Sequence, residues 1–138
     1  MKKKRYVLGF GFLQDWSCLL IERTKDDWQK GLVNGLGGHI EEGESPHAAM
    51  VREFHEESRI LTHRKQWIHF LTLSGEDWEM FVFRALLFAD HYEHTSHEGI
   101  VKPYNFPPPN MEPSARWLYW MCKDVSTFNC VGLSTEKP

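Results

Sequence analysis

Residues 45–60, SPHAAMVREFHEESRI, restrict the fold of this chain more than any other stretch. Ser45 can accept hydrogen bonds from the free amides of a helix start, and Pro46 is pre-set for the first helical position. The pattern therefore predicts a helix from Ser45-Pro46 to about Ser58. At 100° per residue, with Glu53 at zero, Ala49, Glu56, Glu57 and Ile60 fall within about 40° to 60° of it. Met50, Val51, Phe54 and Ser58 occupy the neighbouring arc. An acidic stripe thus runs beside an apolar one that must be buried, close to a helix end whose free carbonyls repel negative charge. Each like-charge pair costs about a few tenths of a kcal/mol. Arg52 can offset part of this through its i,i+4 neighbour Glu56, but one guanidinium does not neutralise the three carboxylates Glu53, Glu56 and Glu57. A divalent cation that prefers carboxylate oxygen, such as magnesium, resolves the conflict. For the stripe taken alone, a solvated acidic face is the competing reading.

The helix sits among strand patterns. Arg5 to Leu13 alternates Tyr6, Leu8, Phe10 and Phe12 against smaller residues, and Trp16 to Glu22 is a second apolar run, so two paired strands are predicted. The stretch TKDDWQKGLVNGLGGHIEEGES is rich in Gly, Asp and Asn and reads as a long loop facing a ligand. Trp67 to Leu73 and Trp78 to Ala89 read as strands joined by a turn at Ser74–Asp77. The proline-rich segment HYEHTSHEGIVKPYNFPPPNMEPS is expected to be an irregular excursion, and Ala115 to Cys122 a returning strand. From Ser126 a short helix and a frayed end are expected.

With 138 residues, 41% hydrophobic and 14% aromatic, the chain is expected to form one domain, residues 1–138, with a substantial core. A net charge of −3 gives no general attraction to nucleic acid or anionic lipid, and the run Met1–Arg5 reads as a solvated terminus. Neither a signal peptide nor a membrane span is suggested: Met80 to Ala89, the longest apolar stretch, carries Arg84 and is too short to cross a bilayer. A cytoplasmic protein without membrane or stable nucleic-acid partners is expected. Cys18, Cys122 and Cys130 lack CxxC spacing, which argues against a disulfide framework or structural zinc.

The longer run GGHIEEGESPHAAMVREFHEESRI reads Gly38, five residues, Glu44, seven residues, Arg52-Glu53, Phe54, one residue, Glu56-Glu57, one residue, Arg59, Ile60. It resembles the Nudix box of the Nudix hydrolase superfamily, here residues 38–60, whose pattern is G-x5-E-x7-R-E-U-x-E-E-x-G-U with U apolar. Six glycine or charged positions match, a coincidence of roughly one in ten million per window at average residue usage. One position departs: Arg59 stands where the box has its last glycine, just past the helix, where a left-handed backbone is often required.

The resemblance implies an α/β fold, an α/β/α sandwich around a mixed sheet, and hydrolysis of a nucleoside diphosphate linked to another group. It implies that Glu53, Glu56, Glu57 and the carbonyl of Gly37 hold Mg2+ or Mn2+, that Arg52 orients a glutamate, and that Glu44 steadies the loop and helix. Pyrophosphate hydrolysis needs charge neutralisation at phosphate oxygens and a deprotonated water aimed at phosphorus, which clustered carboxylates serve. Glu53 is the first candidate for general base, with Glu98 and Glu112 as competitors outside the box.

Trp28 to Gly38 is similar to the approach to the box in MutT-like enzymes that remove oxidised purine triphosphates such as 8-oxo-dGTP. There the asparagine at the position of Asn34 binds the base, and related enzymes put a basic residue near the phosphates at the place of Arg23. Substrate-side positions are therefore expected at Arg23, Asn34, Gly38 and Glu112. ADP-ribose, a dinucleoside polyphosphate or a nucleotide cap is the alternative substrate, and a nucleotide-sensing module without turnover the alternative class. Trp28, Trp78 and Phe81 could stack on a base, but core packing is the expected role. His91, His94 and His97 read as exposed or near substrate in preference to zinc ligands. The expected partners are a small-molecule nucleotide and, at the protein level, a second copy of the chain in a homodimer.

Overall fold

The computed structural model describes residues 2–89 and 92–124, together with the backbone of 133–134. In chain order the elements are β1 (Lys4–Phe12), β2 (Cys18–Arg23), β3 (Val33–Asn34), β4 (Leu36–His39), α1 (Pro46–Ser58), β5 (Ile68–Ser74), β6 (Trp78–Leu86), β7 (His94–Thr95), β8 (Gly99–Tyr104), α2 (Pro113–Lys123) and β9 (Leu133–Ser134). The sheet runs β7-β8-β2-β1-β6-β5-β9, with β3 against β2 and β4 against β1. It is mixed, because β1 with β6 and β5 with β9 are parallel while β1 with β2 and β5 with β6 are antiparallel.

The period-two pattern of β1 gives the sheet two apolar faces. Leu8, Phe10 and Phe12 cluster with Leu118, Tyr119 and Cys122 of α2, whereas Val7 joins Met50 and Phe54 of α1. The two helices therefore cover opposite faces, giving the α/β/α sandwich. Within α1, Ser45 accepts from the Ala48 amide at 3.1 Å, and Ala49, Met50 and Phe54 face the core. Phe54 is fully buried, with its ring edge-on to Trp67 at 4.9 Å. Burial of a side chain of this size contributes on the order of 2–3 kcal/mol.

Arg59 ends α1 in the left-handed region, φ 67° and ψ 5°, with its amide donating to the His55 carbonyl at 2.7 Å. The position thus has the conformation that glycine would adopt without a Cβ penalty. Arg59→Gly is expected to be neutral or to raise stability by up to about 1 kcal/mol, read as melting temperature. A clear loss of melting temperature would show that the arginine side chain itself holds the helix exit.

The site is placed by a fork in the sheet. β1 and β2 pair directly only at Gly11–Leu19 and Phe12–Cys18. Beyond that point β1 pairs with β4, Tyr6–Gly9 against Leu36–His39, and β2 pairs with β3, Ile21 and Glu22 against Asn34 and Val33. The strap formed by β3 and β4 fills the fork and brings Gly37 and Gly38 beneath α1. The loop 24–31 closes at its base: the Gly31 amide donates to the Arg23 carbonyl at 2.8 Å and the Arg23 amide to the Leu32 carbonyl at 2.9 Å. Asn110 also donates to the Gly31 carbonyl at 2.9 Å.

Four expectations are corrected. The stretch 24–45, expected to be one long loop, contains β3 and β4, because its small and apolar residues from 33 to 39 pair with β2 and β1. The segment expected as a strand at Ala115–Cys122 is helix α2. Ala115, Leu118, Tyr119 and Cys122 recur at i, i+3, i+4 and i+7, a helical period obscured by the exposed Trp117 and Trp120 between them. The proline-rich excursion contains β8, paired with β2 from Cys18–Tyr104 to Arg23–Gly99, and it buries Val101 and Met111. Trp28, expected in the core, is 80% exposed, whereas Trp78 and Phe81 pack against the two clusters. His91 and most of the tail from Ser126 lie outside the described residues, and Leu133–Ser134 is a strand beside β5.

Candidate active site

Arg52 is the hub of the box. Its Nε and Nη2 donate to both oxygens of Glu44 at 2.8 and 2.9 Å, the fork-to-fork geometry that suits guanidinium and carboxylate. Nη2 also donates to the His39 carbonyl at 2.9 Å, and Nη1 to Glu53 at 2.9 Å. Glu56 lies at 3.4 Å and Glu41 at 3.7 Å from Nη1. The sequence offered Glu56 as a helical neighbour of Arg52, but Glu44, eight residues upstream, is held more closely. The hydrogen bond from Arg52 holds the Glu44 carboxyl below the usual carboxylate range, and the same bond pushes the Arg52 guanidinium further up. Glu44 also accepts from the Glu41 amide at 3.0 Å, tying the loop before α1 to the helix.

Glu57 faces the fork. It is 5% exposed, its Oε1 accepts from the Gly37 amide at 2.9 Å, and its Oε2 accepts from Arg23 Nη1 at 2.8 Å. Burial pushes its carboxyl up to about 7 despite the opposing pull of Arg23 and the Gly37 amide. Burial likewise raises Glu53, against the influence of Arg52. These two acids therefore bind protons more readily than solvated ones, as expected of carboxylates held out of water.

Gly38 and Gly37 are required by close approach. A Cβ on Gly38 would lie 2.6 Å from the Glu53 carboxyl, and one on Gly37 would overlap the Val7 carbonyl across the β1–β4 pairing. Asn34 turns its Oδ1 back to the Gly35 amide at 2.7 Å. Glu98 stands 3.6 Å from Arg23 Nη1 and so joins the Glu57 side of the site. Glu112 lies elsewhere in the bonding pattern: it caps α2, accepting from the Ala115 amide at 3.0 Å and from the Ser114 hydroxyl at 2.5 Å. Acting as a base would require giving up that cap. His97 is 84% exposed beside Glu98, in keeping with a surface histidine. Sequence reasoning missed Glu41 and the His39 carbonyl, whose approach to Arg52 depends on how the loop folds back.

Among the described residues no three His, Cys, Asp or Glu side chains are gathered as a ready metal site. Glu53 and Glu56 are drawn to Arg52, and Glu57 to Arg23. The donor set nevertheless fits a hard divalent ion: three carboxylates at i, i+3 and i+4 along one helix face. The bare Gly38 admits the Glu53 carboxyl where any side chain would clash with it.

A model of the NUDIX domain family matches residues 3–121. The chain belongs to the Nudix family and is a Nudix hydrolase, a pyrophosphohydrolase by class. Among solved structures, a NUDIX hydrolase from Nitrosomonas europaea is similar at TM-score 0.78 and 15% identity, over 97% of this chain and 78% of that one. A MutT/nudix family protein from Enterococcus faecalis is similar at TM-score 0.65 and 16% identity, over 75% of this chain and 44% of that one. The NUDIX domain of Shewanella oneidensis NrtR, in complex with ADP ribose, is similar at TM-score 0.61 and 18% identity, over 75% of this chain and 73% of that one. At these identities the likeness shows the shared fold. No helix among the described residues is long and apolar enough to cross a membrane.

Proposed function

We propose that the chain, acting as one domain over residues 1–138, is a Mg2+- or Mn2+-dependent hydrolase of a nucleoside triphosphate such as 8-oxo-dGTP, releasing monophosphate and pyrophosphate. The observation that carries this reading is the box itself, with Arg52 clamping Glu44 and Glu53 while Glu57 is buried between Arg23 and Gly37. Glu53, Glu56, Glu57 and the Gly37 carbonyl would hold the cation, which when bound supplies neutralisation of phosphate charge. Arg52 and Glu44 fix the approach of Glu53, our first choice as the base that takes a proton from the attacking water. Water adds at phosphorus and the bridging P–O bond breaks. Glu98 is the second choice for base, because it lies beside Arg23, whereas Glu112 is occupied as a cap. Arg23, Asn34 and Gly38 are assigned to the substrate side on this reading, and the bare Gly38 lets the Glu53 carboxyl lie against the β4 backbone.

The ADP-ribose complex of a structural neighbour supports ADP-ribose as the alternative substrate. A product-resolved screen separates these readings: ordinary and oxidised nucleoside triphosphates, ADP-ribose and dinucleoside polyphosphates are each incubated with Mg2+, and the products identified by mass. Monophosphate and pyrophosphate from an oxidised purine triphosphate are expected. Preferential cleavage of ADP-ribose would replace this substrate assignment, and binding without turnover would favour a nucleotide-sensing module. A cytoplasmic site of action and a homodimeric form belong to this proposal as well.

A further inference from the structure

A guanidinium pairs with Glu57, the carboxylate that the proposed function makes a ligand of the cation. Arg23 Nη1 lies 2.8 Å from one Glu57 oxygen and 3.6 Å from a Glu98 oxygen, so one nitrogen stands between two carboxylates. Its seat is incompletely satisfied: Nε is buried and has no hydrogen-bond partner among the described residues. Glu98 also faces Lys25 at 3.6 Å and His97 at 3.1 Å, and its side chain is 32% exposed, so it can change partners at small desolvation cost. A doubly charged ion on Glu57 would repel the adjacent guanidinium, and the nearest other anionic acceptor of Arg23 is Glu98.

The geometry points to Arg23 as a positioning residue that stands in for the cation on Glu57 and passes to Glu98 when the cation arrives. This rests on the proposed reading of Glu57 as a metal ligand. In the metal-free protein the arginine keeps a buried carboxylate compensated and aimed into the fork. Metal affinity is then set by exchange of one counter-charge for another, with Glu98 receiving the displaced one.

Calorimetric titration with Mn2+ alone tests this without reference to turnover. Arg23→Met is expected to tighten Mn2+ binding on the order of tenfold while lowering the melting temperature of the metal-free protein, since the competing ion pair is gone. Glu98→Gln is expected to weaken Mn2+ binding roughly threefold to tenfold, and this effect should vanish in the Arg23→Met background. A merely structural arginine would weaken binding and lower melting temperature together, and that result overturns the inference. So does a Glu98→Gln effect of equal size in both backgrounds, which would mark simple long-range attraction. Should Arg23→Met fail to fold, Arg23→Gln, which keeps a donor toward Glu57 without the charge, carries the same expectations. Glu57→Gln separates the two levels: unchanged Mn2+ affinity there removes the ligand reading itself, while weakened affinity with no gain in Arg23→Met removes only the exchange.

Discussion

Glu57→Gln is expected to lower Mg2+-dependent turnover on the order of 10²–10³-fold while leaving the fold in place. The amide keeps the size of the side chain, and its carbonyl can still accept from the Gly37 amide that now bonds the carboxylate at 2.9 Å. Burial already pushes the acid up to about 7, so a neutral replacement removes a group whose ionised form the site resists. What the variant lacks is an anionic oxygen for a divalent ion, and that loss falls on chemistry. Initial rates of product formation, measured beside circular dichroism and melting temperature, check both halves. Unchanged activity would take Glu57 out of the metal site; a collapsed fold would show that its pairing with Arg23 is chiefly structural.

Gly37→Ala should be severe for a different reason. The added Cβ would overlap the backbone carbonyl of Val7, and neither partner can rotate away because both belong to the β1–β4 pairing, Leu8 opposite Gly37. Strand β4 must then shift from β1, carrying with it the amide that bonds Glu57. Overpacking against backbone costs about 3 kcal/mol or more, a drop in Tm of roughly 10 °C. Turnover of the remaining folded enzyme should fall as well, since the Glu57 carboxylate loses a fixed donor. A Tm within a degree or two of the parent protein would mean that the strap slides more freely than its strand pairing suggests.

Legibility in the sequence followed how local each cause was. Helix α1 was readable to both of its ends because Ser45, Pro46 and the residue past Ser58 act on their immediate neighbours. The box pattern marked position 59 as one where a left-handed backbone is often required but left open a different exit for an arginine, and the chain takes the left-handed one. Helix α2 was not readable, because aromatic residues on its outer side filled the gaps in its apolar period, and β8 was not, because prolines in the same segment suggested irregular chain. The candidate carboxylates could be picked out through the resemblance of the whole run 38–60 to the Nudix box, but their counter-charges could not. Arg23 reaches Glu57 across 34 positions, and Arg52 chooses Glu44 over its helical neighbour only once the preceding loop has folded back.

The clasp between Arg23, Gly31 and Leu32 has a further consequence. Because residues 24–31 leave and rejoin the sheet at nearly one point, their length and composition can be rewritten by insertion, deletion or grafting while the carboxylate-bearing helix stays where it is. On the proposed reading, which puts Arg23 on the substrate side, this clasped segment becomes an exchangeable attachment where selectivity can be re-engineered.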